Sequence, residues 1–490
     1  MDDFENKIEE LRKAKGWTTG KLAEEYVVRP KRKIHLVTTI GALVLILGFL
    51  AWFLTVPFEE EKPSIGVEPL PEFLSGIEKF AITASDMKSG LRLLKVTLNQ
   101  KGREVVVFEE RFPGEGVFFR EGLKRFDTDF SINPLELKLA QGSLDLQVSV
   151  WDYSKRNAGE GNLSVFQHKM VVDTIPPSIR AVSKQNYVNV GGTGLVIYQS
   201  SSDAIESGLF VNSLFFQGYP VNEEARDGYH ICYFAIPHDI EADPKLDLMA
   251  KDRAGNQLKA NLNFHIRKKR FRTEKSTITD QFLKGILPYF SSYQFDPEDN
   301  DIQKFLKINR DLRKENRLTY FNLRTETSSA PLWEGTFLGH ENAATTARFA
   351  DRRAYYYGGK KIDEQVHLGV DLASLANSEV KAANNGRVIF VDLNGIYGLT
   401  IVLDHGQGIA STYSHLSKKV VEVGQLVKKG AVIGLTGQTG LATGDHLHFG
   451  MMVGGVFVNP VEWWDPHWIQ ENITKKLVLL RSEEIGDGHK

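Results

Sequence analysis

The chain has 490 residues, a formal net charge of −2 and a single cysteine. A chain of this length exceeds one hydrophobic core, so we expect about three domains beyond any membrane segment. The near-neutral charge and the absence of a nucleic-acid-binding motif in the sequence argue against a nucleic-acid partner. Cys232 alone rules out an intramolecular disulfide framework, and its apolar run ICYFAI predicts a buried core residue.

The first informative segment is an uncharged apolar run at residues 36–56. As a helix it would cross roughly 30 Å of hydrocarbon. Basic residues at 29 and 31–33 precede it and glutamates at 59–61 follow, so the positive-inside rule places the N-terminal segment in the cytoplasm. A cleaved signal peptide is the alternative, but the leader is long and no small-x-small site follows. We predict an uncleaved, single-pass anchor in a bacterial inner membrane, with the remaining chain in the periplasm.

Short alternating runs of apolar and polar residues dominate positions 62–268 and predict strands. LDL followed by WD at 144–152 recurs as LDL followed by DRAGN at 246–256, which indicates an internal repeat. DTIPPSI at 173–179 marks the junction. The pattern predicts two β-sandwich modules, and DTIPPSI and DRAGN resemble bacterial immunoglobulin-like domains. The modules could act as a spacer or bind a partner protein.

Helical periodicity follows at residues 278–289 and 301–316, and the second stretch has one partly apolar face. We expect these helices to pack against the C-terminal domain.

The strongest signal is a set of histidines and one aspartate. His367 and Asp371 lie in HLGVD, His415 in TYSHLS, and His446 with His448 in HLHF. Side chains alternate along a strand, so the even spacings allow each pair to share a face. Two imidazoles and one carboxylate suffice for an open zinc site with a position left for water. Five of the 13 histidines lie between the first and last of these motifs, which favours a metal site over coincidence.

Glycines separate short Val/Ile/Leu-rich runs throughout 386–444, which predicts tight turns in a compact all-β domain. The run GQLVKKGAVIG at 424–434 resembles the barrel-sandwich folds of lipoyl-type carriers and periplasmic adaptor proteins. An adaptor or binding protein is therefore one alternative, although the long coiled-coil hairpin of such adaptors has no heptad signal here.

Residues 331–469 resemble the lysostaphin/LytM-type zinc peptidases, enzymes that cut peptide bridges of bacterial peptidoglycan. The resemblance rests on HLGVDLA, VKAANNGRV, LDHG, STYSHLS, VGQLVKKGAVIGLTGQTG, TGDHLHFG and VNP. It implies a zinc metalloendopeptidase acting on peptidoglycan peptides. A non-catalytic LytM-type scaffold that activates a separate wall amidase is the other alternative.

The resemblance also implies roles for the five residues. Zn²⁺ would be bound by His367, Asp371 and His448. The unligated pair, His415 and His446, would act catalytically on the bound water and on the oxyanion, and their division of labour stays open.

Two further hypotheses concern the surroundings of the site. Tyr413 would share a strand face with His415 and is either an extra hydrogen-bond donor or a packed aromatic residue. GHEN at 339–342 offers three groups able to reach zinc, so segment 333–346 is expected either to restrain the enzyme or to form a structural β-hairpin.

Together these features predict a mainly β protein with an N-terminal transmembrane helix, two immunoglobulin-like β-sandwich modules and a C-terminal all-β, barrel-sandwich-like LytM-type peptidase domain. The predicted segments are a cytoplasmic segment 1–33, a transmembrane helix 34–57, β modules 62–172 and 173–268, a helical linker 269–330, the peptidase domain 331–470 and a tail 471–490.

Overall fold

The computed structural model describes residues 2–16, 29–55, 58–116, 121–183, 187–221, 228–240, 243–478 and 480. Within these residues the chain is mainly β, which confirms the predicted class. It forms two compact units, Met1–Thr174 and Ile175–Lys490. The finer division into seven segments stays a prediction.

The N-terminal part contains the helices Asp2–Lys15 and Arg29–Thr55. In the second helix, Leu36–Phe53 has a mean hydropathy of 2.4 and is fully exposed. Its length and composition are those of a membrane span and equally those of a signal sequence. Residues 56–57, the predicted end of the span, lie outside the described residues.

A β-sandwich follows in the first unit. Its strands are β1 Ser64–Glu68, β2 Phe73–Leu74, β3 Glu78–Ser85, β4 Leu91–Gln100, β5 Arg103–Arg111, β6 Arg125–Ile132, β7 Gly142–Asp152 and β8 Leu163–Val172, with a 3₁₀ turn at Asn157–Gly159. They form a three-stranded sheet β1-β3-β6 and a five-stranded sheet β2-β8-β7-β4-β5. Alternate residues of β7, Leu144, Leu146 and Val148, are fully buried because successive side chains of a strand face opposite ways. The two sheets share one core.

The second unit begins with two four-stranded sheets, β14-β15-β11-β9 and β13-β12-β16-β17, beside a parallel pair β10-β18. Strand bounds in this part are β9 Ile179–Ala181, β10 Tyr187–Asn189, β11 Thr193–Ser200, β12 Ala204–Val211, β13 Leu214–Gln217, β14 Tyr219–Pro220, β15 Tyr229–Ala235, β16 Leu246–Asp252, β17 Gln257–Asn261, β18 His265–Arg267 and β19 Thr273–Thr277. Cys232 is fully buried in β15, as predicted.

The predicted repeat has a structural cause. At the end of β7 the backbone N–H and side-chain amide of Asn162 donate to the two carboxylate oxygens of Asp152, at 2.6 and 2.8 Å. At the end of β16, Asn256 donates to Asp252 in the same way, at 2.8 and 2.9 Å. The same Asp–Asn clamp therefore closes the turn in both modules.

Helices occupy the next segment, as the periodicity predicts. The helical segments are Asp280–Ile286, Leu287–Phe290 (3₁₀), Asp301–Lys307, Ile308–Leu312 (π), Arg313–Asn322 and Leu323–Thr325 (3₁₀). Asn316 accepts a hydrogen bond from the backbone N–H of Ile396 at 2.9 Å, and the Tyr320 hydroxyl lies 3.1 Å from Ser414 Oγ. These contacts confirm that the helices pack against the C-terminal domain.

The C-terminal domain is built on an eight-stranded sheet in the order β20-β23-β31-β27-β26-β25-β29, with β32 paired to β31. A three-stranded sheet β24-β30-β28 accompanies it, and a sheet β19-β21-β22 joins it to the preceding segment. The strands are β20 Ala344–Ala347, β21 Arg352–Tyr357, β22 Lys360–Val366, β23 Val370–Ala373, β24 Glu379–Lys381, β25 Gly386–Leu393, β26 Leu399–Gly406, β27 Ile409–Leu416, β28 Lys418–Lys419, β29 Leu426–Val427, β30 Val432–Leu435, β31 Leu447–Val453 and β32 Val456–Val458. A 3₁₀ turn at Gly395–Tyr397 and the segments Pro460–Trp464, Pro466–Ile469, Gln470–Thr474 (π) and Lys475–Val478 complete it.

The C-terminal helices bind the second β module to this domain. The Glu462 carboxylate accepts hydrogen bonds from Asn189 Nδ2 and from the backbone N–H of Thr193, both at 2.9 Å. Trp463 is fully buried, and Lys476 donates to the carbonyl of Leu195. One continuous hydrophobic core therefore runs through the second module and the C-terminal domain.

The buried side chain of His405 makes the stability of this core depend on pH. It is fully buried between the Asn385 carbonyl and Ser411 Oγ, each 2.7 Å away, and burial lowers its pKa to about 4. An unfolded histidine titrates near 6.5, so between those values only the unfolded chain binds the proton. The stability contributed by neutral His405 is therefore complete above pH 6.5 and lost as the pH falls towards 4, by roughly 3 kcal/mol at most.

We expect urea unfolding of the full-length protein in detergent, followed by tryptophan fluorescence, to reveal this loss between pH 7 and pH 4.5. His405→Gln should be less stable at pH 7 but should show a weaker decline with acid. An identical pH dependence in the two proteins would contradict the assignment.

Candidate metal centre

Two neighbouring strands bring three predicted residues together. Asp371 of β23 is the cross-strand partner of His448 of β31, and His367 lies just before β23. His367 Nε2, Asp371 Oδ1 and His448 Nδ1 lie 2.9 Å from one another in every pairing. All three residues are buried. The sequence prediction that these side chains share one site agrees with this geometry.

The donor set fits a metal ion. His367 Nδ1 lies 3.0 Å from the carbonyl of Arg348, which can only accept, so Nδ1 carries a proton and, whenever the ring is neutral, Nε2 presents a lone pair to the other two atoms. A single proton can form a good hydrogen bond between only two of these three atoms. One cation placed between the three atoms can interact favourably with all of them. A backbone carbonyl behind the ring is also the usual support of a metal-binding histidine.

The protonation states of the three converging side chains also suit metal binding. Burial alone would raise the pKa of Asp371, but the charge and hydrogen bond of His367, with bonds from His446 and His448, hold it well below its ordinary value. Burial lowers the pKa of His448 to about 4. At neutral pH the site therefore contains a carboxylate and a neutral imidazole, the forms that bind metals.

The remaining two histidines lie beside the triangle. Their ring centroids are 4.8 Å apart, and His446 Nε2 is 3.5 Å from Asp371 Oδ1. Each ring is fixed through Nδ1, which donates to the carbonyl of Thr439 for His415 (2.7 Å) and of Gly444 for His446 (2.8 Å). In a neutral ring so held, Nε2 of His415 can accept a proton. Nε2 of His446 instead faces Asp371: burial would lower the pKa of His446, but the hydrogen bond and charge of Asp371 raise it above its ordinary value.

His415 has an unusual backbone. Its φ is +62°, a left-handed conformation that costs a non-glycine residue of order 1–3 kcal/mol and often marks functional sites. The pairing of β26 with β27 shifts register between Leu399 and Ile401, opposite this part of β27. Burial, and then the nearby His446 and His448, hold the pKa of His415 well below its usual range.

All five side chains line one cavity of about 550 Å³. Its other walls come from β19, the helical segment, β21 and the 441–445 loop. They include Glu274, Ile278, Phe282, Phe305, Arg313, Arg353, Tyr355, Tyr397, Leu441 and Asp445.

Comparison with known proteins places this site in a family. Residues 365–460 match the family model described as peptidase family M23. The chain contains an M23 peptidase domain. The predicted resemblance to the lysostaphin/LytM-type peptidases is thereby confirmed for this part of the chain.

Relatives of the M23 domain have several named activities. An uncharacterized metalloprotease of Haemophilus influenzae is 42% identical over 96 residues, which are 19% of this chain and 20% of that protein. Peptidoglycan DD-endopeptidase ShyB of Vibrio cholerae is 36% identical over 108 residues, 22% of this chain and 25% of that protein. Murein hydrolase activator EnvC of Escherichia coli is 36% identical over 107 residues, 22% of this chain and 26% of that protein.

A solved structure of the catalytic domain of lysostaphin from Staphylococcus simulans aligns at 31% identity with a TM-score of 0.22, covering 25% of this chain and 92% of that domain. The chain spans between 20% and 26% of the three curated relatives, so these similarities concern the M23 domain.

Tyr413 is a packed aromatic residue. It is buried, and its hydroxyl accepts from the backbone N–H of Ala383 at 2.7 Å and from Ser411 Oγ at 2.9 Å. The tyrosine beside the metal centre is instead Tyr397, whose ring centroid is 5.5 Å from that of His448. The Tyr-Gly pair at 397–398 is the feature of the sequence that could have indicated this residue.

GHEN at 339–342 does not cover the candidate metal centre. His340 Nε2 lies 3.2 Å from Ser374 Oγ, and Glu341 pairs with Lys381 at 2.9 Å. Both residues line a separate cavity of about 290 Å³. The following residues form β20, which pairs with β23. The prediction of restraint by zinc contact is wrong for these two side chains, because the segment is built into the sheet.

Arg353 is a functional neighbour that the sequence did not indicate. Its Nη2 donates to Asp371 Oδ2 at 2.9 Å, while Asp371 Oδ1 faces the two histidines. Its Nε lies 3.9 Å from Glu274 of β19, which pairs in parallel with β21. The arginine thus fixes the carboxylate so that one oxygen is presented to the centre.

We expect Arg353→Ala to weaken Zn²⁺ binding by about 10–100-fold, the usual effect of losing a group that orients a ligand. Competition with a chelating dye measures this. Arg353→Lys should fall between, because it keeps the charge without the planar fork. Arg352→Ala, an exposed neighbour on the same strand, is the matched control. Equal affinity in Arg353→Ala and wild type would show that the contact has no orienting role.

Proposed function

We propose that the M23 domain is a zinc endopeptidase that hydrolyses peptide cross-links of bacterial peptidoglycan. The observation that carries the proposal is the convergence of His367, Asp371 and His448 on one point beside two further imidazoles in the same cavity. Relatives named peptidoglycan DD-endopeptidases support the substrate class.

In this proposal the three converging residues hold Zn²⁺. When bound, the ion acts as a Lewis acid on water and on the scissile carbonyl. His415 and His446 divide two tasks, accepting the proton of the attacking water and stabilising the oxyanion. Their Nδ1–H groups are occupied by backbone carbonyls, so both rings are held in position for this work.

A second function has one specific observation in its favour. The similarity to murein hydrolase activator EnvC favours a scaffold that activates a separate wall amidase. A scaffold has no need of five converging metal-site residues, and an adaptor protein likewise would leave them unused. The complete residue set therefore favours the enzyme.

Digestion of purified sacculi by the full-length protein in detergent separates these functions. We expect muropeptide monomers to be released, with cleavage inside the peptide cross-link by mass analysis and inhibition by a zinc chelator. Release of unlinked peptides only after addition of an amidase would support the scaffold. Purified protein without bound zinc would support the adaptor.

Alanine variants of the five histidine and aspartate residues of the site should fall into two groups that differ in zinc content. His448→Ala, His367→Ala and Asp371→Ala should lose both zinc and activity, because each removes a donor. His446→Ala and His415→Ala should retain close to one zinc per chain and lose about 10²–10⁴-fold in rate. Metal content and digestion rate of the folded variants decide the matter.

His467→Ala, an exposed histidine outside the cavity, is the control and should match wild type in both measurements. Full zinc content in His448→Ala, or an unimpaired rate in His446→Ala, would overturn the assigned roles.

We further propose that the helix containing Leu36–Phe53 anchors the protein in the inner membrane with the M23 domain in the periplasm. The basic residues before the apolar run and the glutamates after it set this orientation. The β modules are then a spacer or a surface for a partner protein.

An alkaline phosphatase fusion after Glu61 should be active in cells, and the N-terminus of the native protein should remain Met1 or Asp2. A native N-terminus beginning after Val56 would identify a cleaved signal peptide instead.

A further inference from the structure

The cavity of the metal centre contains a second arginine, Arg313, whose role the proposed hydrolysis does not use. It begins the helix Arg313–Asn322, outside the M23 match, and lines the same cavity as the five metal-site residues. The phenol rings of Tyr355 and Tyr397 line the cavity with it.

The side chain is held in place by a chain of hydrogen bonds. Arg313 Nε donates to the Asn309 carbonyl at 3.1 Å, and Nη2 donates to Asn309 Oδ1 at 2.6 Å. Asn309 is fully buried and donates through Nδ2 to Asp363 at 2.7 Å, which fixes its amide. Asn309 lies in the π-helical turn Ile308–Leu312, a local deformation often found at functional sites.

Arg313 differs from Arg353 in its charge balance. Arg353 pairs with Asp371, whereas both acceptors of Arg313 are neutral oxygens. Within the described part of the chain, no carboxylate lies within ion-pair distance of Arg313. Its side chain is half-buried, so this charge has lost solvent without gaining a counter-ion. A rigid, uncompensated guanidinium in a cavity suits a planar anion, which it binds through two parallel N–H groups.

We propose that Arg313 binds a free carboxylate of the substrate peptide next to the scissile bond. The inference rests on the proposed peptidoglycan endopeptidase function and names the substrate feature that the cavity selects. The arginine would position the peptide by this carboxylate while the metal-site residues act on the neighbouring amide.

The test uses the full-length protein in detergent and a synthetic cross-linked peptide whose free carboxylates are converted to amides one at a time. Two quantities are measured for each peptide: kcat/KM with zinc, and affinity for the zinc-free protein by calorimetry. For wild type, amidation of one particular carboxylate should lower both by about 10–100-fold. This arm requires no substitution and so does not depend on a variant folding.

For Arg313→Gln, kcat/KM and affinity should be the same for the parent peptide and for that one amidated peptide, and both should equal the low wild-type values for the amidated peptide. Arg313→Lys should recover part of the preference for the parent peptide. Lys314→Gln removes the same charge from the adjacent, exposed position and should retain the wild-type preference.

The inference and the proposed function fail in different ways. Cleavage with no preference among the peptides, or a preference that persists in Arg313→Gln, overturns the carboxylate site and leaves the endopeptidase standing. An equal loss on every peptide in Arg313→Gln makes the arginine merely structural and also overturns it. Arg313-dependent binding without any cleavage upholds the carboxylate site and refutes the endopeptidase.

Discussion

The register between β23 and β31 is the constraint on which the candidate metal centre depends. It places Asp371 directly opposite His448, so backbone hydrogen bonds fix two of the three donors. Gly369 lies between His367 and Asp371, and a Cβ there would lie 2.6 Å from the His448 ring. A slip of one residue would turn Asp371 to the other face of the sheet and abolish the triangle. The geometry of the site therefore depends on the register of these two strands as well as on the identity of its residues.

The M23 match does not contain the whole cavity. Arg353, on β21, and Arg313, on the helical segment, both precede residue 365 and approach the centre from other elements. The first balances the charge of Asp371 and the second carries a charge that nothing described in the chain balances. Residues outside the matched domain thus contribute charged groups to the cavity wall.

The sequence predicted those features that local spacing determines. His367 and Asp371 could be paired by their spacing, and the resemblance to the LytM-type peptidases joined them to His448, 77 residues from Asp371. Arg353 and Arg313 could not, because they reach the cavity through the parallel pairing of β19 with β21 and through helix packing, which are long-range. The two wrong or undecided local predictions also have physical reasons. His415 adopts a left-handed backbone, so alternation along β27 does not relate it simply to Tyr413, and β20 pairs with β23, so GHEN lies against a different part of the sheet.

The continuous core between the second β module and the M23 domain has a thermodynamic consequence. Trp463, Phe234 and Leu195 belong to one set of buried side chains, so separating the two parts would expose apolar surface on both. Apolar burial is the main favourable term in folding, and a contact of this kind makes its two sides unfold together. The second module is then not an independently folding domain. Destabilising substitutions in its strands should lower the population of folded M23 domains, although none of the residues of 175–268 that the structure describes lines the cavity.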